Sequence, residues 1–140
     1  MQKLIIDTNV IVSALISRNG IPAKIIDNLV LDDKVNWCIS NNVLQEYLEV
    51  LNRNKFQKIK DFSRNTEIIL SYLDEFGLEF EPQEKIEIIK DLSDNKFLEL
   101  AVIAEVDFII TGNTNDFTFD EFRGIKIVTP TQYWNEYKPS

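Results

Sequence analysis

Asp7, Glu46, Asp94 and Asp116 are the side chains on which a reaction can be built. Asp7 interrupts the apolar run Leu4-Ile5-Ile6-Asp7-Thr8-Asn9-Val10. A carboxylate near a buried strand end is costly unless it is paired or bound to a cation. Glu46 stands among Leu44, Tyr47 and Leu48, and Asp94 opens the run containing Phe97, Leu98 and Ala101, with Asp91 competing for the same role. Asp116 follows Thr111-Gly112 in company with Asn113 and Asn115. Carboxylates forced together repel, and at neutral pH they must share protons or hold a cation. Oxygen ligands in a chain with no histidine and one cysteine suit Mg2+ or Mn2+. Such ions support phosphoryl chemistry, one activating a water and another stabilising the leaving oxygen.

Each of these residues has an ordinary structural alternative. Asp7 can cap the helix that follows it, Asp94 can be an N-cap, and Glu46 can be a solvated surface residue. Asp116, Asn113 and Asn115 also read as turn formers. Thr8 and Asn9 are read as supporting the turn or orienting Asp7, not as ligands.

Composition removes several classes. Without histidine there is no His-based triad, no His general base and no Cys/His zinc site. Cys38 alone forms no intrachain disulfide. Four glycines make no phosphate-cradling loop, so a nucleotide-binding or response-regulator domain is disfavoured. The net charge of −8 argues against bulk attraction to nucleic acid or anionic membrane. A bound cation would invert that field locally. The charge is uneven: residues 1–70 sum to +1 and residues 71–140 to −9. Arg53, Lys55, Lys58, Lys60 and Arg64 crowd together against Asp61 alone. They are either a solvated helix face with its loop or a supply of remote phosphate contacts, with Lys96 nearer the centre. No stretch approaches the ~18 apolar residues of a membrane span. The first apolar run holds Asp7 and Asn9, unlike a secretory signal, so a cytoplasmic location is expected.

The elements that must position these groups follow from periodicity. The 140 residues, 44% hydrophobic and 27% charged, predict one globular domain over 1–140. Leu4–Asp7, Val35–Ile39, Phe108–Thr111 and Ile125–Val128 read as short buried strands. Helices are predicted over Val10–Ile16, from Pro22 through Val30, after a cap at Ser40 or Asn41, from about Ile59 to Phe76 with Gly77 as stop, after Asp94, and from Pro130 through Tyr137. The helix after Ser40 and that ending at Phe76 are expected to form a hairpin with the basic cluster at its turn. Residues 78–93 satisfy neither period cleanly. Short β-branched runs alternating with helices predict an α/β fold with a mostly parallel sheet covered on both faces. Open parallel sheets bind ligands beyond the carboxyl ends of their strands, and the four acidic positions lie on segments leading to that edge.

The runs Leu4-Ile5-Ile6-Asp7-Thr8-Asn9-Val10, Leu44-Gln45-Glu46-Tyr47 and Asp91-Leu92-Ser93-Asp94-Asn95-Lys96-Phe97-Leu98, with Asp107-Phe108-Ile109-Ile110-Thr111-Gly112-Asn113, resemble PIN-domain proteins, and among them the VapC-like toxin components of toxin–antitoxin pairs. The resemblance implies a PIN-like three-layer sandwich around a mostly parallel sheet of four to five strands. It implies a metal-dependent endoribonuclease using Mg2+ or Mn2+, a small antitoxin as partner, and a homodimer in many members. The family's acidic positions match Asp7, Glu46 and Asp94. Many members carry aspartate where this chain has Asn113, and Asp116 is the nearest carboxylate to complete the set. The implied roles are Asp7 and Asp94 on the principal ion, Glu46 on the attacking water and Asp116 on a second ion or its water. Thr111 would donate to the phosphate, with Asn9, Asn113, Lys96 and Arg53 as supporting or substrate-contacting residues.

Other readings share these features. A metal-dependent phosphatase or DNA nuclease uses the same acidic pocket, because discrimination of RNA rests on the 2′-hydroxyl or single-strand shape. A weakly active or inactive domain that binds RNA or protein is the non-enzymatic alternative, and Asn113 is its best support.

Overall fold

A computed structural model of the chain describes residues 1–88, 94–112 and 120–140. Its sheet comprises Lys3–Ile6 (β1), Asn36–Ile39 (β2), Leu78–Glu79 (β3), Phe108–Ile110 (β4), Glu121–Phe122 (β5) and Ile125–Val128 (β6). Their spatial order is β3-β2-β1-β4-β6-β5. Every pairing is parallel except that of β5 with β6. The chain steps outward from β1 through β2 to β3, then places β4 on the opposite edge of β1. The strand order therefore reverses between β1 and β4, where open sheets of this kind form their ligand crevice. Leu4, Ile5 and Ile6 of β1 are wholly buried, as a strand covered on both faces requires.

The helices are Thr8–Ile16 (α1), Ile21–Ile25 (α2), Asn41–Leu51 (α3), Asn54–Gln57 (α4), Phe62–Phe76 (α5), Asn95–Ala104 (α6) and Pro130–Gln132 (α7). Ser40 starts α3, its hydroxyl accepting from the Val43 N–H at 3.2 Å. Val43, Tyr47 and Leu51 then fall on one buried stripe of α3, and Phe62, Ile69 and Leu73 on one of α5. Phe97, Leu98, Leu100, Ala101 and Ala104 bury α6. Gly77 ends α5 in extended backbone, and a side chain there would put its Cβ 2.6 Å from the Leu73 carbonyl oxygen. Close approach, not a left-handed turn, accounts for this glycine.

The mostly parallel sheet flanked by helices agrees with the sequence reading, and four of its strands are the four predicted runs. Among the described residues the sheet has six strands where four to five were expected, because two-residue strands are added at its edges. Such strands are too short to show a period. β3 follows Gly77 directly and pairs with Cys38 and Ile39. β5 returns into β6 through Arg123-Gly124, both at positive φ (50° and 83°), the backbone that a tight hairpin demands. The helix begun at Pro22 passes into a π-helical turn at Ile26–Val30, and a second π turn at Tyr133–Tyr137 follows α7. The helix expected from Ile59 starts at Phe62, because Asp61 adopts a left-handed φ of 62° and Asn54–Gln57 forms a separate turn. The aperiodic segment before α6 is tied to that helix by its backbone. Ile86 donates to the Glu99 carboxylate at 2.8 Å, and Ile88 to the Asn95 side-chain oxygen at 3.2 Å. Among the described residues no helix is long and apolar enough to cross a membrane.

Candidate active site

The parallel register that sets Ile6 beside Ile110 continues one residue further. The Asp7 N–H donates to the Ile110 carbonyl at 2.9 Å, and the Thr111 N–H to that of Val128 at 2.9 Å. Asp7 and Thr111 thus sit side by side past the ends of β1 and β4, at the strand-order reversal. Both are buried, Asp7 at 7% exposure and Thr111 at 0%. The Thr111 hydroxyl donates to Asp7 Oδ2 at 2.7 Å. Burial raises the pKa of Asp7. The Thr111 hydrogen bond opposes that rise, the charge of Glu46 adds to it, and the N–H groups of Thr8 and Asn9 oppose it. Asp7 stands at the N-cap of α1 without closing a side-chain capping hydrogen bond. Among the described residues no lysine or arginine pairs with it.

Glu46 arrives from the second turn of α3 and is held on both oxygens. Thr8 donates its hydroxyl to Oε2, and Lys96 places its ammonium 3.0 Å from Oε1. The adjacent Tyr47 is wholly buried and donates its hydroxyl to the Ile6 carbonyl, one residue before Asp7. The Trp37 indole N–H reaches the same hydroxyl at 3.4 Å. Burial pushes the Tyr47 phenol far up, so it remains a neutral donor. Tyr47 and Thr8 are the residues that sequence reasoning undervalued. Tyr47 resembled ordinary stripe packing, and the partner of Thr8 lies 38 positions away.

Asp94 stands at the N-terminal end of α6, two residues before Lys96. Its backbone is helical (φ −82°, ψ −15°) and its side chain makes no capping hydrogen bond. Asn9 is exposed on α1. Arg53, just past α3, pairs with Glu49 at 3.1 Å on the surface. Thr111, expected to face a phosphate, directs its hydroxyl proton to Asp7. Asn113, Asn115, Asp116 and Asp91 lie outside the described residues.

A groove of about 580 Å³ is lined by Asn42, Gln45, Glu46, Glu49, Arg53 and Lys96. It brings both proposed phosphate-contacting cations to the Glu46 side of the site. A larger groove of about 940 Å³ lies toward β3 and carries Glu79, Glu81, Glu84 and Glu99 against Lys85. Its charge disfavours a polyanion, so size does not select the site here.

The donors match a hard divalent cation in kind, being carboxylate and hydroxyl oxygens. Asp7 has no lysine or arginine partner among the described residues, whereas Glu46 has one in Lys96. Among the described residues no group of three or more acidic or cysteine side chains stands ready to hold a metal ion.

The family model described as PIN domain matches residues 3–115, from β1 past the end of β4. The uncharacterized protein MJ1680 of Methanocaldococcus jannaschii is 29% identical over 147 aligned positions, covering 97% of this chain and 92% of its own length. Among solved structures, VapBC2 from Rickettsia felis, bound to a DNA fragment from their promoter, superposes with a TM-score of 0.59 at 17% identity. That match covers 90% of this chain and 97% of the other. DNA-bound VapBC from Salmonella typhimurium gives 0.57 at 17% identity, covering 93% and 99%. FitAcB from Neisseria gonorrhoeae gives 0.52 at 17%, covering 94% and 99%. These structures share the fold, and the family match over residues 3–115 makes this chain a member of the PIN-domain family.

Proposed function

We propose that this protein is a Mg2+- or Mn2+-dependent endoribonuclease acting on single-stranded RNA, and the toxin half of a toxin–antitoxin pair. The observation that carries the reading is Asp7: a buried carboxylate at the strand-order reversal of a PIN-domain sheet, with raised proton affinity and no lysine or arginine partner among the described residues. A group in that state is stabilised by a cation. Asp7 and Asp94 would hold the ion, with Asp116 completing the set. The chemistry such an ion would supply is a lowered pKa of a water and neutralisation of charge on the phosphoryl oxygens.

The chain's own groups do the rest. Thr111 fixes the Asp7 carboxylate through Oδ2, leaving its orientation set by the β1–β4 register. Glu46, steadied by Thr8, orients the attacking water in line with the leaving oxygen. Arg53 meets a phosphate of the strand lying in the 580 Å³ groove, where Lys96 adds positive charge while paired with Glu46. Asn9 supports the rim, and a supporting role for Asn113 rests on its place in the sequence after Thr111-Gly112.

The similarity of fold to VapBC2, VapBC and FitAcB supports a small antitoxin as the partner, and self-association is the accompanying expectation. The ion pair on Glu46 favours a second reading, a weakly catalytic PIN domain that binds RNA or protein.

Incubation of purified protein with single-stranded RNA, with and without Mn2+, beside Asp7→Asn and Asp94→Asn, tests the proposal. Cleavage by the wild type alone, abolished by chelator, upholds it. Equal cleavage by the variants rejects the site. No cleavage in excess Mn2+ leaves the binding module in its place.

A further inference from the structure

Lys96 lies against Glu46, one of the carboxylates on which the proposed nuclease site is built. It rises from the first turn of α6 and crosses to α3, with its ammonium 3.0 Å from Glu46 Oε1. The other Glu46 oxygen accepts from Thr8. The pair is sheltered, the two side chains being 24% and 18% exposed for Lys96 and Glu46, yet both line the groove that opens to solvent. A pair so enclosed is screened far less by salt than a surface pair. Asp7, the next carboxylate, has no such partner among the described residues.

From this arrangement we propose that Lys96 is a resident cation of the site: it occupies the position beside Glu46 that a second divalent ion would take and so limits the pocket to one ion, held at Asp7. Glu46 is neutralised from within the protein, and a dication approaching it meets a fixed positive charge a few ångströms away. Lys96 is on this account a positioning residue that sets metal stoichiometry. The ammonium also keeps the Glu46 carboxylate aimed into the groove. The inference rests on the reading of Asp7 as a cation ligand, and the experiment separates the two.

The test counts Mn2+ bound to the full chain at neutral pH by electron paramagnetic resonance. It compares the wild type, Lys96→Met, Lys96→Gln, Lys96→Arg and the double variant Lys96→Met with Glu46→Gln. Thermal melting confirms that each is folded, and two neutral variants guard against one that is not. The wild type and Lys96→Arg are expected to bind one ion. The neutral variants are expected to bind a second, or to bind with about tenfold greater apparent affinity, because a charge at contact distance has been removed. Glu46→Gln in the double variant should cancel the gain. Neutral variants that match the wild type in stoichiometry and affinity overturn the proposal, including when none of the proteins binds Mn2+. If the wild type binds none but Lys96→Met gains an ion that Glu46→Gln removes, the reading of Asp7 fails while the assignment of Lys96 stands.

Discussion

The Thr111 hydroxyl holds Asp7 Oδ2 at 2.7 Å because β1 and β4 are neighbours in register, although the two residues are 104 positions apart. The carboxylate on which the proposed chemistry turns is therefore oriented by the sheet itself and not by a loop.

Burial lifts the Asp7 pKa above its ordinary value of 3.8, so the folded state binds that proton more tightly than the unfolded state does. Stability tied to this group is greatest below about pH 4 and is lost as pH rises from the ordinary value through the raised one. Asp7→Asn is expected to stabilise the metal-free protein at pH 7, with the advantage vanishing near pH 4. Thermal melts of both proteins across that range check it. Mn2+ should raise the melting temperature of the wild type alone.

Thr111→Val removes the hydroxyl that fixes Asp7 while keeping side-chain volume. Loss of a hydrogen bond that orients a ligand typically weakens metal affinity or activity about 10-fold or more. Calorimetric titration with Mn2+ should show that weakening, with the fold intact by circular dichroism.

Arg53 lines the Glu46 groove and, among the described residues, its guanidinium pairs with the surface glutamate Glu49. Such a pair contributes little to stability, within about 0.5 kcal/mol. Arg53→Gln should leave the melting temperature nearly unchanged. It should weaken RNA binding several-fold and lower the salt dependence of that binding by about 0.7 in the log–log slope, as expected for one lost phosphate contact.

Tyr47→Phe deletes the buried hydroxyl that α3 uses to hold the Ile6 carbonyl. The freed carbonyl and the Trp37 N–H lose a buried partner, at a cost of about 1–3 kcal/mol. Denaturant unfolding measures this. Activity per folded molecule should fall as well, because Glu46 is the preceding residue.

Much of this arrangement was legible before any coordinates. Asp7 stood out because a carboxylate inside an apolar strand needs a reason, and the four longer strands announced themselves as β-branched runs. The links that assemble the site were not legible. Thr8 to Glu46 and Lys96 to Glu46 depend on how α1, α3 and α6 are rotated about their axes, which no local pattern records. β3 and β5 are held by their neighbours' ladders and have no period of their own. Asp116 and Asn113 lie outside the described residues, so their part in the site rests on the sequence alone.

A crystal structure of the protein grown with Mn2+ tests the central claim most directly. An anomalous peak in coordination contact with an Asp7 oxygen, with Lys96 still against Glu46, is the expected result. An Asp7 carboxylate still held by Thr111 with no ion beside it, at a Mn2+ concentration that supports RNA cleavage, would contradict the account.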